Sequence, residues 1–490
     1  MDVIDHFIRW AKERPDLPAI AEDRRVYSYG QLYELVGALV NQFSRVEIPV
    51  VLIACKQGAV AYASMIASAL AGGFYSPVNV QSPQQKIRNI IEALRPNIVV
   101  ASLEDFPLAN EFDFIQVRID SNNVPSSKAS FKRHRCYHRQ AYIAFTSGST
   151  GMPKGVVIPR QGLNHYISWW RKELRVGPQD RLSQHPNIGF DLSVPDIYGA
   201  LSSGACLFPF SIESDRLFPA RKIARDRITL WNSVPSIVDL METANELNSE
   251  YLSSVNIFTF CGEPLLSHQL ATLFDARPDC IVYNTYGPTE ATVAVSYKKI
   301  TADNYQHLCN PTAALGQPIG KMRVDLLRSV EQGGEEIVIS GPQLAIGYHE
   351  DPDATAKAFR PLERDGQQIR TYFTGDIATK RDDELYFFGR GDQMIKVRGY
   401  RIEIGEIQTA FERLGWQPLR LFLYQGELCA LVKNRADRKF EARSVRKKLS
   451  ESLDSYAIPT HIGAVDMLPL STNDKSQLDE RELFALIGER

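Results

Sequence analysis

The chain has 490 residues, of which 44% are hydrophobic and 23% are charged, a composition typical of globular proteins with two or three domains. Its formal net charge is −2, and it has neither a long block of like charge nor a basic stripe interleaved with aromatic residues. These features exclude nucleic acid and anionic membranes as expected partners and favour an enzyme that acts on small molecules.

The N-terminal segment predicts a surface helix. Its apolar residues recur on one helical face, namely Val3, Ile4, Phe7, Ile8 and Ala11, and its early aspartates argue against a secretory signal. The most apolar window, residues 65–75, is shorter than a membrane span, so we expect no membrane insertion. Seven cysteines without a CxxC pair favour reduced thiols and a cytoplasmic location.

Short β-rich runs alternate with helical patterns through most of the chain, and they cover residues 51–55, 97–102, 142–145, 256–260 and 280–287. This alternation predicts parallel α/β sheets with helices on both faces. After residue 320 the sequence is rich in β-forming and turn residues, which predicts a more antiparallel part. The segment MIKVRGYRIEIGEIQTAFERL predicts a hairpin followed by a helix, within a compact C-terminal domain.

The segment FTSGSTGMPKG, residues 145–155, is the densest run of small, hydroxyl and glycine residues in the chain. Unobstructed backbone N–H groups, several hydroxyls and Lys154 form a donor surface suited to phosphate oxygens. Its spacing is not that of the Walker motif, because Pro153 occupies the position of the second glycine before the lysine. The structural alternative is a surface turn after a strand.

Seven segments together resemble the ordered core motifs of the adenylate-forming superfamily. They are FTSGSTGMPKG (145–155), FDLSVPDIYGAL (190–201), NTYGPTEATVAVS (284–296), GEEIVISGPQLAIGYH (334–349), YFTGDIA (372–378), FFGRGDQMIKVRGYRIEIGEIQ (387–408) and LPLSTNDKSQLD (468–479). Within that superfamily the chain is most similar to stand-alone amino-acid adenylation enzymes, in particular D-alanine:carrier-protein ligases and their glycine-activating relatives.

The resemblance implies an α/β fold with two domains. Residues 1–390 would form a large N-terminal domain that binds ATP and the amino acid, with parallel α/β sheets and a β-rich subdomain. Residues 391–392 would form a hinge, with Asp392 as the residue about which the domains rotate. Residues 393–490 would form a small, mobile α+β C-terminal domain, in which Lys475 is catalytic and the strand around Gly399 faces the phosphopantetheine arm after rotation.

In this family a carboxylate attacks the α-phosphate of ATP, so the site must neutralise two anions and the charge that develops at phosphorus. By resemblance, Glu290 binds Mg²⁺, Tyr286 stacks on adenine, Thr289 bonds the α-phosphate region, and Asp376 and Arg390 hold the ribose hydroxyls. The loop of residues 146–154 would hold the β- and γ-phosphates. The other residues assigned to ATP, including those of this loop, are Thr146, Ser147, Gly148, Ser149, Thr150, Gly151, Lys154, Gly262, Glu263, Pro264, Asn284 and Thr285.

Each of these side chains also has a structural alternative. Glu290 could complement a helix N-terminus, and Asp376 could cap a turn. A lone lysine such as Lys475 is usually a solvated surface residue. In this position it matches the family's catalytic lysine, whose ammonium bridges the substrate carboxylate and the α-phosphate. The family usually has glycine before that lysine, whereas this chain has Asp474.

Asp191 indicates which carboxylate is activated. A free amino acid brings an ammonium group, and burying that charge without a partner costs several kcal/mol, so the pocket needs a carboxylate. The structural alternative for Asp191 is a helix N-cap. Ser193 with Asp196 three residues later resembles a capping box, which leaves Asp191 to face the pocket.

The remaining pocket positions, assigned by resemblance, are small or uncharged: Leu192, Pro195, Asn232, Thr259, Cys261, Thr285, Val293 and Ala294. In D-alanine ligases the cysteine crowds the α-carbon of the substrate, but those enzymes usually have methionine where this chain has Pro195. Glycine and D-alanine both remain possible substrates, because they differ by one methyl group and such a group gives only about 1–3 kcal/mol of discrimination.

The sequence thus predicts ATP-dependent adenylation of a small amino acid and its transfer to the phosphopantetheine of a carrier protein. We expect that carrier to be a separate protein, since no carrier domain follows Lys475. One alternative is an acyl-CoA synthetase of the same superfamily, against which Asp191 argues. Another is a catalytically inactive nucleotide sensor, which the presence of Glu290, Asp376 and Lys475 opposes.

Overall fold

The structure is a computed structural model. It describes residues 2–23, 25–101, 106, 108, 111–117, 131, 138–147, 152–329, 334–390, 394–397, 399–417, 419–434, 438–466, 468 and 480–487. The chain divides into two compact units. The first consists of Met1–Val80, Ala93–Phe145 and Gly155–Gly391, and the second of Gln81–Glu92, Thr146–Lys154 and Asp392–Arg490.

The α-helices, in chain order, are α1 Val3–Glu13, α2 Tyr29–Phe43, α3 Ala59–Leu70, α4 Gln84–Leu94, α5 Arg160–Leu174, α6 Val194–Ser203, α7 Glu213–Leu217, α8 Ala220–Asp226, α9 Ser236–Thr243, α10 Ser249–Leu252, α11 Ser267–Ala276, α12 Tyr305–Leu308, α13 Pro352–Ala358, α14 Ile404–Arg413, α15 Ala442–Leu449 and α16 Glu480–Ala485. Single 3-10 turns cover Asp191–Ser193, Thr289–Ala291 and Ser455–Ala457.

The strands are β1 Pro18–Glu22, β2 Arg25–Ser28, β3 Val50–Ala54, β4 Phe74–Pro77, β5 Ile98–Ala101, β6 Ile115–Val117, β7 Gln140–Thr146, β8 Lys154–Pro159, β9 Arg181–Gln184, β10 Cys206–Pro209, β11 Leu230–Ser233, β12 Ile257–Phe260, β13 Ile281–Tyr286, β14 Ser296–Ile300, β15 Gln317–Pro318, β16 Arg323–Ser329, β17 Gly334–Ser340, β18 Gly347–Tyr348, β19 Phe359–Arg364, β20 Gln367–Arg381, β21 Glu384–Arg390, β22 Met394–Val397, β23 Tyr400–Glu403, β24 Leu419–Tyr424, β25 Glu427–Lys433 and β26 His461–Val465.

Two large sheets of the first unit have parallel centres. One has the strand order β15-β14-β13-β12-β11-β9-β10-β1-β2, and the other has the order β18-β8-β7-β4-β3-β5-β6. The neighbours β9, β11, β12 and β13 are parallel, as are β3, β4 and β5. The five predicted β-rich runs correspond to β3, β5, β7, β12 and β13, which confirms the α/β prediction. Their near-continuous apolar sequences fit strands that are covered on both faces.

The part of the first unit after residue 320 is antiparallel, as the sequence predicts. Its five-stranded sheet has the order β16-β17-β20-β19, and β21 pairs with β20. In the second unit β22 and β23 form an antiparallel hairpin that leads into α14, and β24, β25 and β26 form a further sheet. The hairpin and helix predicted from residues 394–414 are therefore present.

The most apolar window of the sequence overlaps α3, whose residues are almost all buried. A helix that is apolar on all sides is typical of a protein core. Among the described residues, no helix is both long enough and apolar enough to cross a membrane. The predicted N-terminal helix is α1, with Val3, Ile4, Phe7 and Ala11 buried.

Candidate functional site

Several predicted pocket residues lie at the carboxyl ends of parallel strands in the nine-stranded sheet. Asn232 is on β11, Thr259 is directly opposite it on β12, and Thr285 is on β13. Cys261 follows the end of β12. In parallel α/β sheets this edge is where ligands bind, because the loops that follow the strands converge there.

Hydrogen bonds join three of the predicted pocket positions. The amide of Asn232 donates from Nδ2 to the carbonyl oxygen of Leu192 at 3.0 Å, and its Oδ1 accepts from Thr259 Oγ1 at 2.8 Å. Asn232 and Thr259 are both buried. These bonds fix the side chains rather than leave them to rotate, which suits a small, well-defined pocket.

Cys261, Val293 and Ala294 form a second group. The thiol of Cys261 lies 3.9 Å from the carbonyl oxygen of Val293, and all three residues are buried. Gly287 permits this close packing, since a Cβ atom there would lie 2.6 Å from the Cα of Ala294. Pro195 is buried in the first turn of α6, and Leu192 is partly buried.

Asp191 lines a cavity of the first unit. It begins the 3-10 turn that precedes α6, and the cavity walls include Met65, Tyr75, Tyr142 and Ile188. Apart from Asp191, none of the predicted pocket positions lines this cavity. Asp191 thus lies at a cavity whose other walls are mainly apolar and aromatic.

The predicted capping box at the start of α6 is wrong. Ser193 is the N-cap residue, but its backbone is helical, its side chain makes no capping bond, and its Oγ donates to the carbonyl oxygen of Phe190 at 2.7 Å. Asp196 is fully buried, and neither of its carboxylate oxygens has a hydrogen-bond partner among the described residues. Burial raises the pKa of Asp196 well above its usual value, and the nearby Asn232 amide only opposes that shift.

Glu290 lies in the 3-10 turn Thr289–Ala291, where Thr289 is partly exposed and Glu290 is fully buried. Its Oε1 accepts a hydrogen bond from the hydroxyl of Tyr348 at 2.8 Å, and its backbone carbonyl accepts from Ala345 N. Tyr348 was not predicted as a site residue, although it lies in the motif GEEIVISGPQLAIGYH. Its partner is 58 positions away, so no local pattern reveals the contact.

The Glu290 carboxylate is chemically suited to be one ligand of Mg²⁺, the role that the resemblance predicts. Among the described residues there is no group of three or more histidine, cysteine, aspartate or glutamate side chains that could hold a metal alone. Mg²⁺ is usually held by one or two carboxylates together with phosphate oxygens and water, so its binding does not require a group of three protein ligands.

Tyr286, Asp376 and Arg390 meet in one buried cluster. The hydroxyl of Tyr286 donates to Asp376 Oδ2 at 2.7 Å, and the guanidinium of Arg390 bonds Asp376 Oδ1 and the carbonyl oxygen of Thr374. Asp376 and Arg390 are also direct neighbours across β20 and β21. Burial first, and the Asp376 carboxylate second, raise the pKa of Tyr286 well above its usual value, so its hydroxyl keeps the proton it donates.

Other residues assigned to ATP make structural bonds. Glu263 Oε2 accepts from the backbone N–H of Ser236 at the start of α9, and Asn284 Nδ2 donates to the carbonyl oxygen of Ala314. Thr285 Oγ1 donates to the carbonyl oxygen of Phe260. Gly262, with φ of 94°, and Pro264 lie in the partly exposed loop after β12.

Part of the predicted phosphate loop belongs to the second unit. Thr146 ends β7, Lys154 begins β8, and Ser147 Oγ accepts from the backbone N–H of Glu403 at 3.2 Å. Gly399 lies in the β22–β23 turn with φ of 78°. The predicted residues that fall outside the described residues are Gly148, Ser149, Thr150, Gly151, Asp392 and Lys475.

Known proteins resemble the chain along almost its full length. A D-alanine--D-alanyl carrier protein ligase of Streptococcus pyogenes serotype M3 is 30% identical, with 100% of this chain and 99% of the relative covered. A protein of the same name from Listeria monocytogenes serotype 4a is 28% identical, with 96% and 97% covered.

A solved structure, that of the Vibrio cholerae adenylation domain AlmE in complex with glycyl-adenosine-5'-phosphate, has a TM-score of 0.81 at 26% identity, with 95% of each chain covered. The AMP-binding enzyme family matches residues 7–349. This match includes Glu290 and the strands β9–β13 whose carboxyl ends carry the predicted pocket residues, and the fold is similar to that of the AlmE adenylation domain. The chain therefore belongs to the family of AMP-binding enzymes.

Proposed function

We propose that this protein adenylates a small amino acid with ATP and transfers the aminoacyl group to the phosphopantetheine thiol of a separate carrier protein. The observation that carries the proposal is the position of Asp191 at the cavity next to α6, since a free amino acid needs a carboxylate partner for its ammonium. The names of the two ligases and the glycyl adenylate in the AlmE structure support the same class of reaction.

The reaction has two steps. First, an oxygen of the amino-acid carboxylate bonds to the α-phosphorus of ATP while the bond to the β-phosphate oxygen breaks, giving aminoacyl-AMP and pyrophosphate. Second, the thiol sulfur bonds to the acyl carbon, the thiol proton is lost, and AMP leaves. Glu290 would hold Mg²⁺, which neutralises phosphate charge when bound. Asp376 accepts hydrogen bonds from Tyr286 and Arg390. We infer that a ribose hydroxyl of ATP replaces one of these two donors when the nucleotide binds.

The second step requires the same site to admit a thiol. We propose that residues 393–490 form the domain that reorients about 391–392 between the steps, and that Lys475 acts only in the first step. An acyl-CoA synthetase would use coenzyme A instead. Supplying purified enzyme with either coenzyme A or a phosphopantetheinylated carrier protein, and measuring thioester formed, separates the two functions.

Amino-acid-dependent exchange of pyrophosphate into ATP is the direct test. We expect glycine and D-alanine to support exchange, and phenylalanine, lysine and glutamate not to, because no predicted pocket residue other than Asp191 is charged and most of the other pocket residues are buried. Strong exchange with a large or charged amino acid would contradict the assigned pocket. A carboxylic acid without an amino group serves as the control for the role of the ammonium.

Replacing Asp376 with asparagine is expected to raise KM for ATP by about 10- to 100-fold, since a hydrogen bond to a charged group contributes about 1.5–3 kcal/mol. KM for the amino acid should change little. Asp383→Asn is the matched control, because Asp383 lies in the turn between β20 and β21 and its side chain is 96% exposed. Equal ATP kinetics in the two variants would refute the nucleotide role of Asp376.

A further inference from the structure

The turn that follows Glu290 has an unusual backbone. Thr292 and Val293 have φ values of 59° and 70°, in the left-handed region. Both residues are β-branched, and such residues adopt this region rarely because the side chain meets the backbone. A strained conformation of this kind persists only where its surroundings hold it.

Gln343 holds this turn from both sides. Its side chain is fully buried, and Nε2 donates to the carbonyl oxygens of Ala291 at 3.1 Å and Ala294 at 2.6 Å. Its own backbone carbonyl accepts from Thr292 Oγ1 at 2.6 Å. These three bonds enclose the two strained residues, because Ala291 precedes them and Ala294 follows them.

A second layer fixes the orientation of the Gln343 amide. His165 Nε2 accepts from the backbone N–H of Lys321 at 3.1 Å, so its proton is on Nδ1. That Nδ1 lies 2.7 Å from Gln343 Oε1 and donates to it. Reversing the amide would place its oxygen against two carbonyl oxygens and its NH₂ group against an N–H donor.

The clamped turn bears on the amino-acid pocket. Val293 and Ala294 are assigned to the pocket by resemblance, and the Cys261 thiol lies at the carbonyl oxygen of Val293. A shift of the turn would therefore move the pocket wall. We propose that Gln343 is a positioning residue that sets the size of the amino-acid pocket by clamping Thr292 and Val293. This inference rests on the proposed function, because it concerns selection among small amino acids.

The test compares selectivity in Gln343→Met and the wild-type enzyme. Methionine has a similar volume but removes both amide donors and the acceptor for His165. We measure kcat/KM in pyrophosphate exchange for glycine, D-alanine and D-2-aminobutyrate. The ratio of kcat/KM for the best substrate to kcat/KM for its next larger homologue should fall by about tenfold. One methylene group normally gives about 10- to 200-fold discrimination between substrates. KM for ATP should change less than about twofold, because the nucleotide contacts remain.

Gln57→Met is the matched control for a loss of packing or stability. Gln57 is also buried, and its amide donates to the carbonyl oxygen and side chain of Gln184 rather than to residues 291–294. It should lower Tm and leave the selectivity ratio unchanged. A purely stabilising role for Gln343 predicts that the two variants behave alike, and this result would overturn the proposal.

Thr292→Val provides an independent variant if Gln343→Met does not fold. It preserves the shape of the side chain and removes only the bond to Gln343 O. We expect a smaller fall of the selectivity ratio in the same direction, and an unchanged ratio would overturn the inference. If the wild-type enzyme shows no amino-acid-dependent exchange, both the proposed function and this inference are overturned. If wild-type exchange is normal and the selectivity ratio is unchanged in both variants, the inference alone is overturned.

Discussion

Replacing Asp191 with alanine is expected to lower kcat/KM for the amino acid by about 100- to 5,000-fold while KM for ATP stays nearly unchanged. The physical reason is that the bound ammonium would lose its carboxylate partner beside a cavity lined by Met65, Tyr75 and Tyr142. Removing one partner of a buried charge pair costs about 3–5 kcal/mol. The measurement is pyrophosphate exchange at varied amino-acid and ATP concentrations.

If Asp191 only stabilises the end of a helix, its replacement should affect stability rather than amino-acid kinetics. A matched control variant distinguishes this role from ammonium binding. Asp2 is the N-cap of α1, where its side chain accepts from the backbone N–H of Ile4. Asp2→Ala should lower the free energy of unfolding by about 0.5–2 kcal/mol without changing amino-acid kinetics. Should Asp191→Ala show that same pattern, the carboxylate would be structural and the ammonium assignment would fail.

The sequence predicted the sheets because their signals are local. The runs at β3, β5, β7, β12 and β13 are apolar over consecutive residues, as strands covered on both faces must be. The hairpin of β22 and β23 was predictable for the same reason, with Gly399 at the turn where φ is 78°. These features depend on neighbours in the chain, so no knowledge of distant contacts is needed.

The prediction of a capping box was wrong because the sequence pattern does not show the backbone conformation of the residue before a helix. Ser193 follows a 3-10 turn, so its φ and ψ of −73° and −20° are already helical. A capping serine needs an extended backbone to reach the N–H of the third helical residue. Its hydroxyl instead donates to Phe190 O. The sequence also did not reveal that the Asp196 carboxyl group is fully buried.

Contacts between distant motifs also could not be predicted from the sequence. Tyr286 and Asp376 were each assigned to ATP, yet their hydrogen bond joins residues 90 positions apart. Likewise, the bonds from Gln343 to Ala291 and Ala294 span 52 and 49 positions. Motif resemblance identified the segments that come together, and only the three-dimensional fold shows which atoms meet.

Replacing Lys475 with alanine is expected to slow adenylation by about 100- to 1,000-fold, because losing one preorganised charge contact costs about 2.7–4 kcal/mol of transition-state stabilisation. The assignment comes from the LPLSTNDKS motif, and the test is pyrophosphate exchange. Thiol transfer should behave differently. If the lysine acts only in the first step, the variant given synthetic aminoacyl-adenylate and carrier protein should form the thioester at close to the wild-type rate.

A bulky residue at Gly399 should produce the opposite defect, with adenylation retained and transfer blocked, because the surrounding strand is expected to line the path of the phosphopantetheine arm. Gly399 has φ of 78°, so Gly399→Leu also strains its hairpin turn. Gly426→Leu controls for that strain, since Gly426 has the same φ of 78° in the β24–β25 turn and open space around its Cβ position. Opposite defects in Lys475→Ala and Gly399→Leu, with normal transfer in Gly426→Leu, would support one active site used in two domain orientations. Equal loss of both steps in Lys475→Ala would instead require a different catalytic cation.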